Sequence, residues 1–162
     1  KVNLYNLLEL NDATGKNADF LNTYFFKTIH HEFQHILNQN KPYPSNFKEL
    51  SGLKYVEDEW ENKYETTEDA VEDGFISRYS SKAHTEDFAE IYSFYVTRSE
   101  ADFNAIINLA GENSPGKVII LAKLAIVRSY MISTWGVDMD LLRSIVLGKY
   151  ASLNTFDQVT LN

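Results

Sequence analysis

His31-Glu32-Phe33-Gln34-His35 lies within a run, Phe20 to Asn38, whose apolar residues recur at helical spacing. Phe25, Ile29, Phe33 and Ile36 fall along one stripe with Phe26 and Leu37 beside it, which predicts a helix carrying the HExxH phrase in its middle. On a helix, residues four apart share a face, so His31 and His35 can point at one ion. Glu32 is rotated to the flank, where a carboxylate can reach water without being a ligand. That is the set zinc hydrolysis requires: two neutral imidazoles on the metal and a base beside the water. The chain holds four histidines, and two of them occupy the motif positions. An ordinary amphipathic helix can carry the same letters by chance; further parts of a site downstream weigh against that.

At 162 residues the chain fits one domain, residues 1–162, with a real core. An aromatic fraction of 14% argues for a packed globule rather than disorder. Net charge is -8 and no basic stripe is visible, so nucleic acid is not an expected partner. There is no cysteine, which excludes disulfides, thiolate ligands and a cysteine nucleophile and leaves His, Asp and Glu to bind any metal. The chain begins at Lys1 with no charged-then-apolar leader, so a processed or trimmed product is expected. Val118 to Val127 is the most apolar stretch, but it is short and interrupted by Lys123. A membrane span wants about 20 apolar residues, so this is expected to be a core helix.

Lys1 to Leu10 is the best strand candidate, followed by a turn over Asn11 to Asn17. The motif helix is expected to be capped by Asn17 or Asp19 and to stop near Asn40, before Lys41-Pro42. Lys41 to Glu65 is an irregular segment that could wall a cleft. Thr67 to Asp73 predicts a short helix closed by Gly74. Thr85 is a good N-cap for a helix to about Arg98, with Glu86 and Asp87 in its first turn. Ala101 to Ala110 predicts another. Ser114-Pro115 starts a helix that Gly136 stops, and Asp138 caps a last one through Leu147. The final residues are polar and expected to be loosely held.

A zinc hydrolase needs a third protein ligand and an open fourth position. Candidates downstream are Glu68, Glu72, His84, Glu86 and Glu90. Glu86 and Glu90 are four apart on a helix that buries Phe88, Ile91, Tyr92, Tyr95 and Val96, and two acids on its solvated side is the plain reading. Glu68 and Glu72 repeat the spacing on a shorter segment. Pattern favours Glu86 over Glu68, since the longer helix is the firmer platform. His30 points off the ligand face and is expected to be exposed or to support the site. His84 could be a competing ligand, contact substrate, or simply be exposed. Trp60 and Trp135 are expected in the core or a cleft wall.

Taken together, His31-Glu32-Phe33-Gln34-His35 and the downstream Glu86-Asp87-Phe88-Ala89-Glu90 resemble the gluzincin metallopeptidases. More narrowly the chain is similar to the "putative zinc-binding metallopeptidase" lipoproteins of Bacteroidetes, and the layout is that of the catalytic domain of anthrax lethal factor. The resemblance covers roughly Lys27 to Tyr95. It implies Glu86 as third ligand and Glu90 as acceptor of a hydrogen bond from a ligating histidine. It also implies that Tyr79, seven residues before Glu86, assists the reaction. The chain departs from the family in its small size and in showing one strand where a sheet is expected.

The resulting expectation is an α+β, mostly helical, zincin-like domain with a small N-terminal sheet, a C-terminal helical part and one Zn²⁺ between two helices. The expected activity is peptide-bond hydrolysis with Glu32 as general base and a peptide or protein as substrate. Two other readings stay open: a surface module that binds zinc and captures peptide or glycan without turnover, and an amidase acting on cell-wall peptide. An extracytoplasmic, lipoprotein-like location is implied by the resemblance alone.

Overall fold

The structure is a computed structural model that describes residues 25–151. In chain order its helices are α1 (Lys27–Asn40), α2 (Asn46–Glu49), α3 (Trp60–Lys63), α4 (Thr67–Glu72), α5 (His84–Thr97), α6 (Glu100–Ile107), α7 (Pro115–Trp135) and α8 (Met139–Ala151). Single 3₁₀ turns stand at Gly52–Lys54, Glu57–Glu59 and Tyr79–Ser81. The α+β expectation is corrected: among the described residues there is no strand or sheet, and every α-helix and 3₁₀ turn is helical. The physical reason is local. None of the described segments sustains a period-two alternation, and the longer apolar runs have helical spacing. The expected strand Lys1–Leu10, the turn after it and the caps Asn17 and Asp19 lie outside the described residues.

Helix α5 is the hub, packed against α1, α7, α8 and the Tyr79–Ser81 turn. Ten of its fourteen residues are buried, among them Asp87 and Glu90. This corrects the solvated acidic face that the pattern suggested. The core cluster joins Phe88, Ile91, Tyr92, Tyr95 and Val96 of α5 to Phe47 of α2, Ile120, Leu124 and Val127 of α7 and Met139 of α8. Burying side chains of this size contributes about 1.5–3 kcal/mol each before entropy is counted.

Several boundaries follow the expected chemistry. Ser114 caps α7 by accepting from the Lys117 N–H, Pro115 opens it, and Gly136 closes it in the left-handed region at φ 67°. Asp138 accepts from the Asp140 and Leu141 N–H groups at the start of α8. Helix α4 begins at Thr67 as expected, with Thr66 and Asp69 forming a capping box on it. The start of α5 differs. Its cap position is Ala83, without a side-chain bond, rather than Thr85. Gly116 is required by contact: a Cβ there would meet the Val71 carbonyl oxygen at 1.8 Å, so α7 can cross the end of α4 only as glycine.

Two faces run against expectation. In α1 the residues turned inward are His31 and Gln34, while Ile29, Phe33 and Ile36 are 36%, 48% and 49% exposed. Helix α7 is core on one face only: Ile120, Leu124 and Val127 are buried, whereas Val118, Leu121 and Ile132 are exposed. By length and composition alone α7 could cross a membrane, but its buried face, including Lys123, is committed to the core.

Lys123 and Asp87 are both fully buried, with Nζ 2.6 Å from Oδ2. Lys123 also donates to the Gly74 carbonyl at 2.7 Å, and the Tyr55 hydroxyl donates to Asp87 at 2.8 Å. Removing one member strands the other charge in apolar surroundings. Lys123→Met is therefore expected to destabilise the protein by about 3–5 kcal/mol, whereas Lys123→Met with Asp87→Leu recovers most of it. Chemical denaturation of the two variants checks this; equal loss in both would show that the charge left behind is not the cause.

Candidate metal centre

The inward face of α1 meets the first turns of α5, and three donor atoms converge there. His31 Nε2 lies 3.0 Å from Glu86 Oε2, His35 Nε2 lies 3.1 Å from the same oxygen, and the two nitrogens are 3.0 Å apart. His31, His35 and Glu86 form the group among the described residues that could hold a metal ion. The donor set fits zinc. Two imidazoles and a carboxylate are a common catalytic triad of ligands, and bonds of about 2.0–2.1 Å in a tetrahedron put neighbouring donors about 3.3 Å apart. Little movement separates the observed triangle from that arrangement.

The electrostatics of the triangle follow from its crowding. Burial works to lower the His31 pKa, but hydrogen bonds and charge from Glu86 and Glu90 outweigh it and raise it to about 9. Burial likewise works to raise Glu86, yet the two imidazoles hold it well below the usual carboxylate range. In the metal-free protein a proton therefore occupies the place a cation would take.

Glu90 lies one turn deeper and is 1% exposed. Its Oε1 accepts from His31 Nδ1 at 2.8 Å and from Lys27 Nζ at 2.6 Å, and its Oε2 accepts from the Ser77 hydroxyl at 2.7 Å. With a proton kept on Nδ1, the nitrogen that would be free for a cation once the second proton leaves is Nε2, turned toward His35 and Glu86. Burial alone would raise the Glu90 pKa; its partners reverse that and keep the carboxylate ionised.

Tyr79, on the 3₁₀ turn before α5, packs its ring 5.9 Å from that of His31 and edge-on to Trp60 at 4.9 Å. Burial, followed by the charge and hydrogen bond of Glu86, pushes its phenol up to about 12. It therefore stays protonated beside the site. Glu32, His35 and Glu86 open onto a cavity of about 630 Å³ whose other wall includes Pro42, Tyr43 and Lys48. The segment after α1, expected to be irregular, instead carries α2, α3 and two 3₁₀ turns, and its first part, Pro42 to Lys48, lines the cleft.

The remaining candidates separate cleanly. Glu68 and Glu72 are exposed on α4, away from the triangle. His84 is the first residue of α5, lines the cavity and is hydrogen-bonded through Nδ1 to the Tyr43 hydroxyl at 2.6 Å. His30 is neither exposed nor a support of the triangle: it packs edge-on to Tyr92, and burial lowers its pKa. Trp135 packs on the core with the Lys41 ammonium above its ring. Sequence reasoning missed Lys27, Ser77 and Tyr43. Lys27 was within reach, since it lies four residues before His31 and so shares its face.

Residues 1–140 match the family described as "Putative zinc-binding metallo-peptidase". The chain belongs to this family. Among solved structures, a "putative zinc-binding metallo-peptidase" from Bacteroides caccae ATCC 43185 is 36% identical with a TM-score of 0.82, over 90% of this chain. The alignment spans 54% of that relative, so this chain corresponds to about half of it. Among curated proteins, none matches. A zinc-binding metallopeptidase family is what two imidazoles and a carboxylate at hydrogen-bonding separation accommodate.

Because His31 holds its proton up to about pH 9, zinc has to displace that proton below this pH. Zinc affinity of the metal-free protein is expected to rise about tenfold per pH unit and to flatten near pH 9, well above an ordinary histidine. Chelator competition across this range checks it, and a plateau already at pH 7 would contradict it. Glu86→Ala is expected to abolish zinc retention, whereas Glu90→Ala weakens affinity by about 10–100-fold. Metal content after dialysis separates the two, and reversed phenotypes would move the donor one turn along α5.

Proposed function

We propose that the chain catalyses zinc-dependent hydrolysis of peptide bonds, in the gluzincin manner, with His31, His35 and Glu86 as ligands of one zinc ion. The observation that carries this is the donor triangle, which opens onto a cleft that has Glu32 at its wall. These three side chains would hold the zinc ion, whose chemistry there would be Lewis acidity toward a carbonyl and a water.

The other steps belong to side chains. Glu32 takes the proton of the attacking water and passes it to the leaving amine. Tyr79, protonated at neutral pH, donates a hydrogen bond to the oxygen of the attacked carbonyl as charge develops on it. Glu90 holds the His31 ring in the orientation and tautomer that leave Nε2 free. Glu86 neutralises one charge of the ion and leaves a net positive centre. An extracytoplasmic location is part of the same proposal and is supported by the family resemblance alone.

Glu32→Gln preserves shape and removes the base. Zinc content is expected to be retained while peptide hydrolysis falls by about 10²–10⁴-fold. Tyr79→Phe is expected to keep zinc and fold and to lower kcat by about 10²–10³-fold, as for one oxyanion donor. Metal analysis alongside turnover of a mixed peptide substrate tests both. Undiminished turnover in Glu32→Gln would end the general-base role, and zinc-dependent peptide capture with no turnover in the unmodified protein would end the hydrolytic one.

A further inference from the structure

The cleft beside the donor triangle is electrically lopsided. Its acids, Glu32 and Glu86, stand with His35 at the metal end. The one lysine or arginine in the lining, among the described residues, is Lys48, on α2. Around it the lining is neutral: Asn38, Gln39, Ser45 and the Tyr43–His84 pair. Lys41 and Lys54, on either side of Lys48 in sequence, are engaged with the Thr134 carbonyl and with Asp73. Among the described residues Lys48 has neither an ion pair nor a hydrogen bond, and it is exposed.

Its position is nonetheless fixed. Phe47, the residue before it, is fully buried against Tyr43 and Phe88, at ring separations of 5.7 and 4.9 Å. Tyr43 stacks on Phe88 at 4.1 Å, and its hydroxyl is hydrogen-bonded to His84. The four-residue helix α2 is thereby anchored to α5, and Lys48 is presented from a rigid wall rather than from a free loop.

We propose that Lys48 selects substrate, so that the cleft takes peptides carrying a carboxylate a short distance from the bond held at the metal end. This rests on the peptide-hydrolysis reading for the word substrate but not for the binding itself. The carboxylate can come from an acidic side chain or from a free C-terminus; the chemistry of recognition is one charge-assisted hydrogen bond in either case. A lysine, unlike an arginine, meets it as a point charge and tolerates both geometries. Such a contact in a part-enclosed cleft is worth about 10–100-fold in affinity.

The test is binding to zinc-loaded Glu32→Gln protein, followed by fluorescence anisotropy of dye-labelled alanine-rich peptides. One arm compares a central Glu with Gln in C-terminally amidated peptides; the other compares free acid with amide in peptides without acidic side chains. At least one carboxylate form is expected to bind about 10–100-fold more tightly than its neutral partner. Lys48→Met should erase that preference without changing zinc content, and Lys48→Glu should transfer it to a central Lys. Equal binding of charged and neutral peptides overturns the proposal, as does a preference that survives Lys48→Met or an absence of binding by any peptide. A charge preference in a protein whose unmodified form hydrolyses none of these peptides would remove the hydrolytic reading and leave this one standing.

Discussion

A carboxylate inside a protein must find its counter-charge inside as well, and α5 carries two of them. Isolated, either would cost several kcal/mol in apolar surroundings. Asp87 meets Lys123 of α7, and Glu90 meets Lys27 and His31 of α1. These pairings fix the register of three helices at once: slide α1 by one turn and Glu90 loses both partners. They also decide what is left for Glu86. One turn before Glu90 and next to Asp87, it is carried to the rim of the buried zone, where its carboxylate meets both imidazoles.

The centre was more legible in the sequence than the architecture around it. His31 and His35 come from spacing, since i,i+4 pairs on a helix are neighbours by geometry, Glu86 as their third partner is what the family resemblance implied, and the caps Ser114, Gly136 and Asp138 come from local hydrogen bonding. Burial was less accessible. The stripe of Ile29, Phe33 and Ile36 suggests which way α1 faces, yet the opposite, polar face turns inward. An apolar stripe ordinarily seeks the core, and α1 violates this where a site needs imidazoles inside. The same tension hid the burial of Asp87 and Glu90. Two acids on an otherwise apolar helix look solvated until their partners are known, and those partners, Lys123 above all, are remote in sequence.

The family assignment and the geometry carry different parts of the conclusion. Membership of a zinc-binding metallopeptidase family says what kind of ion such a triangle would hold. Donor separations of 3.0–3.1 Å show that the side chains already stand close to ligating positions, held by hydrogen bonds to one another. Preorganisation of this kind means that binding the ion exchanges a shared proton for a cation, with little rearrangement of the helices.

Glu90 connects these parts. One of its oxygens takes the Nδ1 proton of His31, while the other takes the hydroxyl of Ser77, two residues before Tyr79. The Ser77 oxygen in turn accepts from the Ser80 N–H at 3.2 Å, which closes the turn that presents Tyr79. A single buried carboxylate thus orients an imidazole on one side of the site and braces the segment bearing a phenol on the other. Its loss would act on both, through metal affinity and through the position of the tyrosine. An effect on turnover larger than the loss of zinc explains would follow from the second link, because among the described residues Glu90 is the one carboxylate bonded to the Ser77 hydroxyl.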